Sequence, residues 1–442
     1  MKRLFRPDHF LYLILLTVSA NSFLWLKQDL RVLLFVIPAV LAVHIFPGMF
    51  IKNIPEERLR VCYHGASLLV IFLTATVFSV IFHVILAVRC FPSDIWTWIW
   101  SALLCTAIQA SVFWNGIITV YCTSKQLGFR FRALGLLCGM IPILNLIALG
   151  IILQVVLYEI DLESDKAILN EKRKAERLCA TKYPILMVHG VFFRDSEKMN
   201  YWGRIPAELE KNGATIFYGE HESASSVADS AWELALRIKQ ITIETGCEKV
   251  NVIAHSKGGL DMRYALSHTD IAPFVASLTT VNTPHRGCIF VDYLLEKAPK
   301  SLAESVAATY NGSFKILGDK KPDFMAAVSD LTASACRKFN EEVQMPDSIY
   351  CQSIGSRLNY AVNGRFPLNV SYPLVRYFDG ANDGLVAEES FPFGEKYTLL
   401  TVKGKRGISH ADMIDLMREN IRDFDVREFF VQTVAELKQK GL

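Results

Sequence analysis

The sequence predicts an α/β unit with a mostly parallel sheet, preceded by an all-α unit that spans a membrane. The chain has 442 residues, which is more than one ordinary domain contains. Residues 9–158 are mostly apolar, whereas residues 159–442 have the composition of a soluble protein. In the second part, short apolar runs alternate with amphipathic helical patterns, and this alternation is typical of a parallel sheet covered on both faces.

The N-terminal part contains five long apolar runs. They cover residues 10–26, 32–51, 65–88, 95–122 and 133–158. Crossing a bilayer takes about 20 apolar residues, and none of these runs has a polar face to turn toward water. We therefore predict a bundle of about five transmembrane helices over residues 1–160, joined to the second unit by a charged helical linker at residues 161–182.

Lysine and arginine are distributed unevenly among the loops between these runs. The residues that precede run one, follow run two and follow run four are Lys2, Arg3, Arg6, Lys52, Arg58, Arg60, Lys125, Arg130 and Arg132. The opposite loops have only Lys27, Arg31 and Arg89. Since basic loops stay in the cytoplasm, the pattern predicts a cytoplasmic start. An odd number of spans then puts the second unit outside the cytoplasm, although the mixed-charge linker, with Lys172 and Arg173, weakens this orientation.

The charge and the cysteines exclude two classes of function. The formal net charge is only +3, and no basic block carries interleaved aromatic residues, so the sequence gives no sign of nucleic-acid binding. Of the ten cysteines, five lie in each half, and no pair has the spacing of metal ligands. We predict neither a bound metal nor a disulfide framework.

The second unit, residues 183–442, is predicted to contain six strands. They cover residues 184–190, 214–220, 249–256, 274–284, 348–356 and 396–404, and helical patterns occupy 200–213, 226–246, 258–267 and 425–441. Ligands of such sheets bind at the carboxyl ends of the strands. Polar residues that directly follow a strand are therefore the candidates for a site.

The third strand ends in Ala254-His255-Ser256-Lys257-Gly258. This segment fits the pattern G-x-S-x-G, with alanine in place of the first glycine. The pattern marks a nucleophile on a sharp strand-to-helix turn, where the backbone comes too close to its neighbours for large side chains. We predict that Ser256 is a nucleophile.

Two further polar residues follow later strands. Asp383 lies in "FDGANDGLV" and His410 in "GKRGISHADMIDL", so the chain order is serine, aspartate, histidine. Asp379 is a rival carboxylate. His189, His255 and His285 also lie near strand ends, and we assign them to bracing or surface roles.

The expected chemistry is nucleophilic catalysis by a triad. His410 would remove the proton of Ser256, and Asp383 would orient the imidazole and stabilise its cation. The tetrahedral oxyanion needs aimed donors. We predict the backbone N–H groups of Lys257, which follows the nucleophile, and of Val191, in the glycine turn after the first strand.

These motifs carry a family resemblance. The segments "YPILMVHGV", "VNVIAHSKGGLDMRY", "TPHRG", "NDGLV" and "SHADMIDL" make residues 180–435 similar to the bacterial triacylglycerol lipases of the α/β-hydrolase superfamily, here in a membrane-fused form. The resemblance implies an esterase or lipase that acts on lipid or other acyl esters and needs no cofactor. Several secreted members bind calcium through a carboxylate two residues after the catalytic histidine, the position of Asp412, but no partner aspartate is identified and calcium is not predicted.

Residues 288–346 separate two predicted strands and contain two amphipathic helical patterns, so we predict a cap over the site. Two alternatives stay open beside ester hydrolysis. An acyltransferase or thioesterase would use the same triad with another acceptor, and a membrane scaffold would carry an inactive hydrolase unit. Oligomeric state is not predicted.

Overall fold

A computed structural model of the chain describes residues 7–48, 51, 53–90, 94–139, 141, 143–191, 200–297 and 323–442. The chain divides into an N-terminal unit, residues 1–172, and a C-terminal unit, residues 173–442. Each unit has its own hydrophobic clusters.

The described part of the N-terminal unit is helical. Its α-helices are α1 (Pro7–Ala20), α2 (Phe23–Gln28), α3 (Leu33–Ile45), α4 (Glu57–Cys90), α5 (Ile95–Thr123), α6 (Gly128–Cys138) and α7 (Leu144–Arg173). Within the described residues, three helical segments are long and apolar enough to cross a membrane: Glu57–Cys90, Ile95–Thr123 and Leu144–Glu176.

The structure thus supports three of the about five predicted spans, because the first two apolar runs form shorter helices. A turn at residues 21–22 ends α1 after 14 residues, and α3 has only 13 residues. At 1.5 Å per residue these helices are about 20 Å long, whereas the hydrocarbon layer is about 30 Å thick. The last run is divided between α6 and α7, and its predicted kink at Pro142 lies outside the described residues.

Helices α4 and α5 pack closely through small and polar residues. A β-carbon on Gly65 would lie 3.0 Å from the carbonyl oxygen of Gly116, so the two backbones meet where neither residue has a side chain. Deeper in the unit, Gln109 Nε2 donates to Ser79 Oγ at 2.7 Å, and Gln109 Oε1 accepts from Thr76 Oγ1 at 2.6 Å. These polar groups satisfy one another between helices.

The C-terminal unit contains all six predicted strands. They are β1 (Ile185–Val188), β2 (Ile216–Tyr218), β3 (Val250–His255), β4 (Val275–Val281), β5 (Tyr350–Ser356) and β6 (Lys396–Leu400). They form one parallel sheet in the order β2-β1-β3-β4-β5-β6. The strands β1, β3 and β4 are buried along their whole length, as expected for strands covered on both faces.

Helices cover both faces of this sheet. They are α8 (Ile205–Lys211), α9 (Val227–Thr245), α10 (Lys257–His268), α11 (Ile289–Lys297), α12 (Phe324–Ser329), α13 (Ala333–Glu342), α14 (Leu368–Asp379) and α15 (Val426–Gln439). One buried cluster joins Met187 and Ile253 of the sheet to Phe430 of α15. The cluster on the other face joins Val252 to Leu234 of α9.

The strand order changes direction between β1 and β3. From β1 the chain moves to one edge to form β2, then returns to the other side of β1 to form β3 and continues outward to β6. Ligands of parallel sheets bind beside the carboxyl ends of the strands at this reversal. His189–Val191 follow β1 at that point, and Ser256 follows β3.

The segment between β5 and Asp383 differs from the prediction. The sequence analysis assigned no helix there, and the structure contains the amphipathic helix α14. Helix α14 exposes Val370, Leu374 and Tyr377, which are spaced four and three residues apart. Pro367 precedes the helix and Pro373 lies inside it, so the usual sequence signs of a helix are weakened here.

Candidate active site

Ser256 lies on a sharp turn between β3 and α10. Its backbone angles are φ +55° and ψ −130°, a combination that is rare and strained for any residue except glycine. The Ser256 N–H donates to the Val281 carbonyl at 2.8 Å and so fixes the turn against β4. The side chain is at the edge of the sheet with about 7% of the residue exposed.

Two glycines make room for this turn. A β-carbon on Gly258 would lie 2.4 Å from the His189 carbonyl oxygen, and one on Gly190 would lie 2.8 Å from the Ser256 β-carbon. The loop after β1 therefore packs directly against Ser256. Ala254, two residues before the serine, is fully buried.

The structure brings Asp383 and His410 together. The His410 Nδ1 atom is 2.6 Å from Asp383 Oδ2, and the His410 N–H donates to the Asp383 carbonyl at 2.9 Å. Asp383 Oδ1 accepts from the backbone N–H groups of Leu385 and Val386, each at 2.8 Å. The buried Asp383 carboxyl is therefore fixed by backbone donors and in turn holds the His410 ring through Nδ1.

His255 directly precedes Ser256, and its imidazole ring packs against that of His410. The two ring centroids are 4.5 Å apart. Within the described residues, no hydrogen bond joins the Ser256 hydroxyl to the His410 ring. Catalytic hydrogen bonds are often long before substrate binds. Burial, with a smaller contribution from His410, holds the pKa of His255 well below its usual value, so His255 is a neutral spacer.

The other candidates from the sequence have different surroundings. Asp379 accepts from the backbone N–H groups of Ile289 and Phe290 at the start of α11, and burial raises its pKa. His285 is buried, with Nε2 3.0 Å from Thr280 Oγ1, and burial followed by the charge of Arg263 lowers its pKa.

The ring of His189 is held between two backbone carbonyl oxygens. Nδ1 is 2.9 Å from the Gly190 oxygen, and Nε2 is 3.1 Å from the His221 oxygen. Both contacts brace the loop that follows β1.

The two predicted oxyanion donors lie in the segments that flank Ser256. Lys257 is the first residue of α10, where a backbone N–H has no acceptor within the helix. Val191 follows Gly190, which contacts Ser256. The Gly190 N–H donates to the Tyr201 hydroxyl at 3.1 Å, and that hydroxyl is 2.7 Å from His255 Nδ1. Tyr201 therefore ties the first loop to the residue before the serine.

Asn282 and Tyr201 are contacts of this site that the sequence did not reveal. Asn282 follows β4 with φ +47°, and its Nδ2 donates to Asp383 Oδ2 at 2.5 Å and to Ser356 Oγ at 2.7 Å. The available signal was its position directly after a buried strand, since Asn tolerates this backbone conformation. Tyr201 precedes α8 and carried no comparable signal.

Lys257 also forms a buried ion pair. Its Nζ donates to Asp261 Oδ1 at 2.7 Å and to Ser230 Oγ at 3.0 Å, and both charged residues are about 1% exposed. Burial raises the pKa of Asp261, and Lys257 opposes the shift. The turn that contains Ser256 thus continues into helix α10, whose first residue forms a buried ion pair with an aspartate of the same helix.

We expect Lys257→Met to destabilise the protein by about 3–5 kcal/mol, because it removes the lysine charge from the buried Asp261 carboxylate, whose other basic neighbour is the His221 ring at 3.7 Å. A carboxyl whose folded-state pKa is raised destabilises the fold progressively as pH rises above its ordinary pKa of about 4. The loss in melting temperature, measured in detergent, should therefore be larger at pH 8 than at pH 5.

The matched control is Lys257→Met combined with Asp261→Asn, which removes both charges. The double variant should unfold at a higher temperature than Lys257→Met alone. Equal melting temperatures for the two variants at pH 8 would contradict this account of the pair.

The position implied as a calcium ligand is bound by an arginine. Asp412 Oδ2 accepts from Arg406 Nη1 at 2.9 Å, and Oδ1 accepts from Arg406 Nη2 at 3.2 Å. Among the described residues, no group of three or more His, Cys, Asp or Glu side chains is placed to hold a metal ion. The side chains around Asp412 therefore do not fit a calcium site.

Comparisons with known proteins agree with the motifs. No family model matches the chain. It is 33% identical over 179 residues to a triacylglycerol lipase of Pseudarthrobacter phenanthrenivorans, covering 38% of this chain and 55% of that protein. A triacylglycerol lipase of Burkholderia plantarii gives the same identity over 38% of this chain and 49% of that protein. The chain thus spans about half the length of these two relatives.

A third relative matches over a longer part of the chain. A triacylglycerol lipase of Vibrio cholerae is 29% identical over 290 residues, which cover 59% of this chain and 89% of that protein. A crystal structure of Bacillus licheniformis lipase in mature form matches with 24% identity and a TM-score of 0.41, covering 54% of this chain and 88% of that one. The chain is similar to the bacterial triacylglycerol lipases, and the resemblance carried by its motifs is confirmed.

Proposed function

We propose that this chain is a membrane-anchored serine hydrolase that cleaves carboxylic esters of lipids or other apolar acyl groups. The observation that carries the proposal is the buried Asp383–His410 pair, 2.6 Å apart, at the same edge of the sheet as a serine in a strained turn. The sequence similarity to triacylglycerol lipases supports the same reaction class.

In the proposed mechanism, the Ser256 oxygen attacks the ester carbonyl carbon while His410 Nε2 takes the hydroxyl proton. Asp383 keeps the other ring nitrogen protonated and stabilises the imidazolium. The N–H groups of Val191 and Lys257 would bind the oxyanion. The intermediate expels the alcohol, which takes its proton from His410, and leaves an acyl group on Ser256. Water then attacks the acyl carbon while His410 takes its proton. The acid leaves, and His410 returns the proton to the Ser256 oxygen.

The apolar part of the proposed substrate agrees with the surface beside the site. Helices α11 and α14 follow the carboxyl ends of β4 and β5, and their packed rings Tyr293 and Phe378 have centroids 4.8 Å apart. Around these rings, Leu294, Leu374 and Tyr377 are exposed. Exposed apolar side chains grouped on these two helices fit the proposed apolar substrate. The cap proposed over residues 288–346 includes α11, α12 and α13.

We also propose that the chain is a multi-pass protein of a bacterial plasma membrane with its C-terminal unit outside the cytoplasm. Three spans over α4, α5 and α7 keep the odd number on which this orientation depends. Arg58 at the start of α4 and Arg130 after α5 would lie on the cytoplasmic side, whereas Arg89 at the end of α4 would not.

Alkaline phosphatase fused after Arg177 should be active, and a cytoplasmic reporter there should be inactive; the reverse result would overturn this orientation.

The reaction is tested on the purified full chain with p-nitrophenyl esters of short and long acyl groups and with a fluorophosphonate probe. We expect release of the free acid and labelling of one serine. Transfer of the acyl group to an added alcohol, with no free acid formed, would identify an acyltransferase instead. Absence of both turnover and labelling would favour an inactive scaffold.

A further inference from the structure

We infer that Arg406 is a positioning residue that holds the loop carrying His410. The inference rests on the proposed function, since it assigns a role to a residue that acts through His410. It is carried by the ion pairs around residues 409–415, which we call the histidine loop.

Arg406 binds two carboxylates at once. Its two terminal nitrogens reach both oxygens of Asp412, at 2.9 and 3.2 Å, and Nη2 also reaches Glu419 Oε2 at 3.3 Å. Glu419 pairs with Arg365 as well. A guanidinium presents five donors in a plane and stays charged at every working pH, so it can bridge two carboxylates as a divalent cation does.

Asp412 also bonds to Ser409, the residue directly before His410. Its Oδ2 also accepts from the Ser409 N–H at 2.8 Å, and its own N–H donates to Ser409 Oγ at 3.3 Å. These bonds close the turn that contains His410. The Asp412 side chain is only about 10% exposed, so the pair is better shielded from water than an ordinary surface ion pair.

A second arginine anchors the far end of the histidine loop. Asp415 is about 3% exposed and has φ +53°. Its carboxylate accepts from the Arg204 backbone N–H at 2.9 Å and from Arg204 Nε and Nη2 at 2.7 and 2.8 Å. Arg204 directly precedes α8, in the segment that also contains Tyr201. The histidine loop is therefore fixed by arginine–aspartate pairs at its middle, Asp412, and at its far end, Asp415.

Removing a positioning residue and removing a purely structural ion pair are expected to change activity by different amounts. Most exposed ion pairs contribute little to stability, and their removal is expected to leave activity unchanged. Groups that orient a functional residue typically change activity by about 10–100-fold when they are removed. Measuring kcat well below the melting temperature therefore distinguishes a positioning role of Arg406 from a purely structural one.

The test compares Arg406→Gln, Arg406→Lys and the control Arg237→Gln in the full chain. Arg237 pairs with Glu220 at 3.3 Å on helix α9, outside the histidine loop. We expect Arg406→Gln to lower kcat about 10–100-fold with little change in KM, Arg406→Lys to recover part of the loss, and Arg237→Gln to have no effect. Equal kcat values for Arg406→Gln and the wild type would overturn the inference.

Two further measurements separate this inference from the proposed function. Hydrogen–deuterium exchange of the histidine loop should become faster in Arg406→Gln but not in Arg237→Gln, and this readout needs no enzymatic activity. Unchanged exchange would refute the positioning role even if the wild type were inactive. Dialysis of the wild type against a chelator should leave kcat unchanged; a loss that Ca²⁺ restores would also overturn the inference.

Discussion

Ser256→Ala is expected to lower kcat for ester hydrolysis by about a million-fold and to abolish labelling by a fluorophosphonate. The reason is that the variant lacks the oxygen that forms the acyl-enzyme, while His410 and Asp383 keep their contacts. The melting temperature should change little, because the lost hydroxyl has no hydrogen bond to another described residue.

The control is Ser267→Ala on helix α10. Its hydroxyl accepts from the Gln344 N–H at 3.2 Å, away from the proposed nucleophile. Labelling and turnover should both persist in this variant. Turnover of Ser256→Ala at even a tenth of the wild-type rate would mean that another residue is the nucleophile.

The second large effect is expected for Asp383→Asn. The carboxylate holds the proton of His410 on Nδ1, which leaves Nε2 free to accept the proton of Ser256. An amide in its place can donate to Nδ1 and so favours the opposite tautomer, which cannot act as a base. The resulting fall in kcat should be about ten-thousand-fold, with KM nearly unchanged.

Asp379→Asn is the matched control, because Asp379 was the rival carboxylate. It caps helix α11 through two backbone N–H groups, at 2.9 and 3.1 Å. The variant should lower the melting temperature slightly and keep kcat within a few-fold of the wild type. A greater loss of kcat in Asp379→Asn than in Asp383→Asn would reverse the assignment of the two carboxylates.

The sheet could be predicted because its signal is local. Strands such as β3 and β4 carry apolar residues on both of their alternating faces, as expected when both faces are covered, and the glycines around Ser256 mark the turn that follows β3. Each of Ser256, Asp383 and His410 follows a strand in the sequence, so the three side chains were predicted to meet at one edge of the sheet. These features depend on residue types and spacing alone.

The features that were missed depend on contacts between distant residues or on small local breaks. Arg204 and Asp415 are 211 positions apart, and only the fold brings them together. Helix α14 contains Pro373, so its apolar spacing was not recognised. Only three of the about five predicted spans are supported, because a turn of two residues ends α1 early and hydropathy averaged over a window cannot detect such a turn.

The ion pair between Lys257 and Asp261 has an evolutionary consequence. Asp261 is four positions after Lys257 on the same helix. Replacing one of these two residues alone therefore leaves the other buried without its ion-pair partner. Natural homologues should therefore change both positions jointly: lineages with a neutral residue after the nucleophile should also have a neutral residue where Asp261 stands. Directed-evolution libraries that randomise position 257 by itself would sample mostly poorly folding variants, whereas libraries that randomise the two codons together would keep the turn intact.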